Sequence, residues 1–192
     1  MRYINIFKIL RRRFCYLRYK IILGGIGRHS FIHYPLRIDG GKSIFIGNDV
    51  SIKYKTWLLS KPLAGGNQSI LQIEDGCVLG HFNHITATKK IIIHKNVLTA
   101  DRVFISDNIH GYQDINTPIL HQPVIQKNEV EIGEGSWLGE NVCVVGASIG
   151  KHCVIGANSV VTKDIPSYSV AVGIPARVIK KYDFIKNEWV NV

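Results

Sequence analysis

One histidine in a polar excursion is the residue whose type and setting most directly suggest chemistry. His110 stands in the run SDNIHGYQDINTPILHQPVIQKNEV, where Asp107, His110, Tyr112, Asp114, Asn116 and His121 fall within fifteen residues. A neutral imidazole titrates near neutrality, so it can take a proton from a hydroxyl while remaining mostly unprotonated at cellular pH. Its other ring nitrogen needs an orienting acceptor. Asp107, Asp114 and Glu140 are the candidate carboxylates, a backbone carbonyl would serve as well, and the sequence leaves the choice open. Taken alone, a histidine in such a run also reads as an ordinary loop-packing or surface residue. Pro118 and Pro123 fix the backbone on the return path and limit its wandering.

The elements that must position this loop are repeats of about six residues. From Ile132 to Val161 the chain reads IGEGSW, LGENVC, VVGAS, IGKHCV and IGANSV, with branched apolar residues at Ile132, Leu138, Val144, Ile149, Ile155 and Val161. A helical face repeats every three or four residues and a strand every two, so a step of six describes a coil with short flat sides. Three such sides close a turn of about eighteen residues, and successive turns stack like residues above one another. The same step runs through Ile46, Ile52, Leu58, Ile73, Leu79, Ile85, Ile93, Thr99 and Ile105. Four positions after the leading aliphatic stand small or branched residues, Val50, Cys77, Val97, Val103, Ser136, Val142, Cys153 and Ser159. They predict narrow inward corners and a packed interior without a ligand cavity. Glycines after the leading residue, as at Gly133, Gly139, Gly150 and Gly156, are expected to serve the backbone conformation of those corners. The step shortens to five between Val144 and Ile149 and lengthens to seven between Ile125 and Ile132, on the way back from the loop.

The chain has 192 residues, enough for one domain with a sizeable core. Cys15, Cys77, Cys143 and Cys153 lack metal-ligand spacing and read as reduced thiols, and no metal is expected. The formal charge of +10 raises nucleic acid as a partner. No aromatic interleaving or reading-helix pattern accompanies the basic residues, so nucleic-acid binding is set aside. Nine basic residues, from Arg2 to Arg37, precede the first acid, Asp39. Residues 3–19 can be drawn as a basic amphipathic helix that caps the coil or contacts an anionic membrane; its apolar runs are too short to span a bilayer. The expected organisation is a basic amphipathic segment at 1–28, the coil at 29–182 with its loop at 106–124, and a short helical tail at 183–192.

The segments ISDNIHGYQDINTPI and GSWLGENVCVVGASIGKHCVIGANSVVTKDIPSYSVAVGIPARVIKK resemble the hexapeptide-repeat acyltransferases, in particular the maltose, galactoside and surface-polysaccharide O-acetyltransferase branch. The resemblance covers most of residues 30–182. It implies an all-β fold, a left-handed parallel β-helix, assembled as a homotrimer with acetyl-coenzyme A in a groove between subunits. It further implies His110 as general base and Asn83, in the Phe82-Asn83 pair, as an active-site group reaching the substrate from the coil face. Trp137, Thr162, Lys163 and Arg177 match positions beside the coenzyme. The implied reaction is acetyl transfer to a hydroxyl of a sugar, nucleotide sugar or glycan, in the cytoplasm or peripherally at the inner membrane face. An N-acyltransferase of an amino sugar and a non-catalytic trimeric scaffold are the alternatives. Zinc chemistry through His81, His84 and His110 does not fit the ligand spacing expected.

Overall fold

The computed structural model describes residues 16–192, so the expectation of a helix over 3–19 lies mostly outside the described residues. Residues 16–22 are helical and lead directly into a three-sided parallel coil. Its first face stacks Gly25–Ile26, Ile44–Ile46, Ile70–Ile73, Lys90–Ile93 and Val130–Ile132, extended by single bridges at Ile149 and Ile165. The second face runs from Phe31–Ile32 through Leu98–Thr99 and Trp137–Leu138 to Ser169–Gly173, and the third from Arg37–Asp39 to Val160–Val161. Backbone N–H groups of one turn donate to carbonyls of the next: Gly27 to Ile46 at 2.8 Å, Gly47 to Ile73 at 2.7 Å, Glu74 to Ile93 at 2.8 Å and His94 to Ile132 at 2.9 Å. Each turn thereby satisfies the polar backbone of its neighbour.

The six-residue step marks the core. Ile52, Leu58, Ile73, Leu79, Ile93, Ile105, Ile132, Leu138, Val144 and Ile155 are buried with 0% exposure. The small residues four positions further on are buried too, Cys77, Val142 and Ser159 completely. The glycines have a different cause from the one their spacing suggested. Gly133 and Gly80 lack left-handed backbone; a Cβ on Gly133 would meet the carbonyl carbon of Gly150 at 2.4 Å, and one on Gly80 the Ala100 oxygen at 2.2 Å. They permit one turn to lie directly on the next. The left-handed corner residue comes two positions later, as at Asp49, Phe82, Asn141, His152 and Asn158, with φ between 52° and 60°. Asn and Asp tolerate this region better than most residues.

The C-terminal tail is not helical. Ala176–Asp183 and Glu188–Asn191 are antiparallel strands that continue the second face beyond Ser169–Gly173. Ala176 is buried, Val178 packs against the core, and Tyr182 meets Trp189 edge-on at 5.5 Å. The Asp183 carboxylate accepts from the N–H groups of Ile185 and Lys186, which turns the chain back. Two-residue alternation and aromatic side chains favour strand there over helix.

Candidate active site

The loop carrying His110 is braced at its root. Asp107 is fully buried, and its carboxylate accepts hydrogen bonds from three successive backbone N–H groups, Thr88 at 2.8 Å, Lys89 at 2.7 Å and Lys90 at 2.9 Å. The Thr88 hydroxyl and the Asn108 amide also donate to it, each at 2.9 Å. From this anchor Asn108–His110 runs antiparallel to Val124–Gln126, with His110 opposite Val124. Gly111 N–H donates to the Pro123 carbonyl at 2.9 Å, and Lys127 N–H to the Asp107 carbonyl at 2.9 Å. The excursion is therefore a short ribbon rooted in the coil, and it ends on an exposed imidazole.

The three carboxylates considered as orienting groups for His110 are committed elsewhere within the subunit. Asp107 holds the loop root. Asp114 accepts from the Thr117 hydroxyl at 2.7 Å and the Asn116 N–H at 2.9 Å, and these bonds hold its carboxyl below the usual range. Glu140 pairs with Arg102. Gln122 closes the loop tip, donating to the carbonyls of Asp114 at 2.8 Å and Thr117 at 2.7 Å.

Asn83 is not on the coil face. It is 1% exposed, its Oδ1 accepts from the Val103 N–H at 2.7 Å, and its Nδ2 donates to the Thr99 hydroxyl. Each end of the amide is engaged inside a corner, so Asn83 ties two turns together. The remaining positions are exposed but spread over the coil. Trp137, 47% exposed, stands on the outside of the second face between Leu98 and Val154. Thr162 and Lys163 follow the Val160–Val161 strand of the third face. Arg177 lies on the C-terminal hairpin opposite Val172 and donates to the Ala176 carbonyl at 2.9 Å.

Two sizeable clefts lie away from the loop. One of about 680 Å³ is lined by Tyr16, Leu17, Phe31 and His33, and another of about 720 Å³ by Glu74, His94, Glu131 and Lys151; neither includes His110. Among the described residues no three His, Cys, Asp or Glu side chains group to hold a metal ion. Burial pushes the Cys77 thiol up to about 11 and raises Cys143 and Cys153 as well, which makes them poor nucleophiles. Sequence reasoning missed one stack. His84 lies face to face with Trp57, centroids 4.2 Å apart and planes 5° apart, and meets Phe104 edge-on at 5.3 Å. Each of the three immediately precedes an inward aliphatic, Leu58, Ile85 or Ile105, so the hexad register carried the signal.

The pattern of the hexapeptide repeat of succinyl-transferase matches residues 129–163. A relative from Escherichia coli K12, named as the lipopolysaccharide-biosynthesis O-acetyl transferase WbbJ, is 33% identical over 155 residues, covering 76% of this chain and 79% of its own. A relative from Mycobacterium tuberculosis, named as an acetyltransferase, is 43% identical over 115 residues, 59% of this chain but only 38% of its own length. Among solved structures, the N-acyltransferase AntD from Bacillus cereus, in complex with dTDP and 3-hydroxybutyryl-CoA, shares the fold with a TM-score of 0.71 at 20% identity, covering 84% of this chain and 85% of its own. The three-sided coil of six-residue steps is a left-handed parallel β-helix. The chain belongs to the hexapeptide-repeat acyltransferase family.

Proposed function

We propose that the chain is an O-acetyltransferase that moves an acetyl group from acetyl-coenzyme A to a hydroxyl of a sugar or cell-surface polysaccharide unit. The observation that carries this reading is the exposed His110 at the end of a ribbon locked by Asp107, in a chain 33% identical to a relative named for O-acetyl transfer. His110 takes the proton of the acceptor hydroxyl as its oxygen attacks the thioester carbonyl. The C–S bond then breaks, the acetyl ester forms, and the imidazolium returns its proton to the departing thiolate. A backbone N–H at the coil edge meets the transient oxyanion. Direct transfer also suits the chain's thiols, since the described cysteines are raised in pKa by burial.

Trp137, Thr162, Lys163 and Arg177 are assigned to the coenzyme: the indole packs along the pantetheine arm and the cations meet the phosphates. Trp137 and Arg177 lie on the second face, whereas the histidine loop and Thr162-Lys163 both follow the third, so the reading includes a homotrimer whose neighbouring coils bring them together. The fold likeness to AntD, whose structure holds an acyl-CoA, supports the same donor class. At 20% identity that likeness does not favour an amine acceptor over a hydroxyl. The cytoplasm, where acetyl-coenzyme A is formed, is the compartment assigned to the reaction. Incubating the purified chain with labelled acetyl-coenzyme A and a panel of envelope glycans, nucleotide sugars and amino sugars tests the reading. Ester-linked label on a glycan or sugar hydroxyl is expected, whereas label in amide linkage only, or on none of the panel, overturns it.

A further inference from the structure

The end of the coil at which the helix sits carries a surface that the transfer chemistry does not use. In the helical stretch 16–22, Tyr19 is buried against the coil together with Leu23, one turn on. Leu17 and Ile21, also one turn apart, occupy the other side and are 59% and 73% exposed. Tyr34 and Leu36 are exposed in the first turn of the coil, and they line a cleft with Arg18 and Ile22 of the helix. Large apolar residues thus stand outward at this end of the coil, on the helix and on the first turn, where a solvated cap would carry polar ones.

The charge around this group is of one sign. Arg18, Lys20, Arg28 and Arg37 lie in the same stretch, Arg2, Lys8 and Arg11 to Arg13 precede it in the sequence, and the first acid is Asp39. Asp39 is already neutralised, accepting from Arg37 at 2.7 Å and from the Trp57 indole at 3.0 Å. Asp49, the next acid, faces His29 at 3.2 Å. Among the described residues no helix is long and apolar enough to cross a membrane. We propose that the outward residues Leu17, Ile21, Tyr34 and Leu36, with the exposed Arg18, Lys20 and Arg28, seat the protein on an anionic lipid surface, apolar side chains entering the headgroup boundary and cations meeting the lipid phosphates.

Flotation of the full chain with vesicles tests this independently of acetyl transfer. Binding is expected to vesicles of phosphatidylglycerol and phosphatidylcholine in equal parts, to weaken as salt is raised, and to be absent with phosphatidylcholine alone. Replacing Arg18 and Lys20 by Gln is expected to weaken binding roughly tenfold or more, at the usual worth of a basic residue near such a surface. The pair Leu17→Ser and Ile21→Ser is expected to weaken it roughly tenfold or more through lost apolar burial. Should the serine pair fail to fold, the glutamine variants carry the test alone, with circular dichroism showing that they keep the coil. Equal flotation with both vesicle types, unchanged binding in the variants, or tighter binding to duplex DNA than to the anionic vesicles overturns the proposal.

Discussion

At the scale of single residues, His110 and Asn83 separate chemistry from scaffold. His110 is exposed and outside the hexad core, so His110→Ala is expected to leave thermal unfolding within experimental scatter. Acetyl transfer at saturating donor is expected to fall about 10²- to 10⁴-fold, the usual contribution of a positioned general base. Asn83→Ala is expected to do the reverse. It strands the buried Val103 N–H and the Thr99 hydroxyl, which costs about 1–3 kcal/mol in denaturant unfolding, while the protein that remains folded transfers acetyl groups at the ordinary rate. A large loss of turnover in folded Asn83→Ala protein contradicts its placement inside the corner. The loop around His110 was legible because a polar run that breaks a strict apolar step stands out without any structure. The burial of Asn83 was not legible from the resemblance, which reports residue type and not side-chain direction. Asn83 follows Leu79 by four positions, the same inward slot held by Val50, Cys77 and Val103, and only its polarity disguised the register. The role of Asp107 was invisible for another reason, since its donors at residues 88–90 are brought to it only by the stacking of one turn on another.

At the scale of elements, the six-residue step specified the parallel coil because it fixes both the inward aliphatic and the small corner residue, and packing leaves little freedom once both are set. What the step did not reveal was why glycine follows the aliphatic. Gly133→Ala sets a Cβ against the Gly150 backbone, which cannot withdraw as a flexible side chain would, and is expected to cost about 1–3 kcal/mol. Gly135→Asn is expected to be nearly neutral, although φ there is +69°, because asparagine already occupies this corner conformation at Asn141 and Asn158 and the nearest neighbour of a Cβ is 3.4 Å away. Equal costs for the two in urea unfolding exclude vertical crowding as the cause. The C-terminal hairpin was missed because it leaves the six-step for a two-step too short to be seen apart from a helix until Asp183 turns it back. The aromatic stack on the third face adds a pH dependence. Burial lowers the pKa of His84 from 6.5, so the folded state favours the neutral ring. The stability it contributes is complete above 6.5 and is lost as pH falls toward the folded-state value, because the unfolded chain takes up the proton first. Melting temperatures at pH 7.5 and 5.5 are expected to fall less in His84→Phe than in the parent, and an equal fall in both proteins removes His84 as the cause.

At the scale of the whole molecule, one subunit presents the groups assigned to transfer but does not gather them. His110 leaves the coil after the third face, Trp137 and Arg177 belong to the second, and neither of the two clefts described above is lined by any of these three. Leu98 and Trp137, 45% and 47% exposed, form an apolar pair on the second face, and Tyr54 and Phe82 are likewise exposed as an edge-on pair. The proposed trimer would cover such a patch, because a cyclic assembly lets every copy offer one face and receive another. Charge introduced at the patch, Leu98→Asp with Trp137→Asp, is expected to give monomers in sedimentation equilibrium and to abolish transfer while circular dichroism retains the coil. Loss of turnover in that variant also follows from losing Trp137 as a coenzyme contact, so a second measurement is needed to show that sites are shared between copies. His110→Ala and Arg177→Glu each remove one half of the proposed site. If the halves come from different copies, trimers formed by co-expressing the two variants contain some sites with both halves intact. Random assembly then restores activity to about a quarter of the parental value per site, although each variant alone is nearly inactive. Co-expression that restores nothing, with mixed trimers verified by mass spectrometry, places His110 and Arg177 in the service of the same copy and rejects the shared groove.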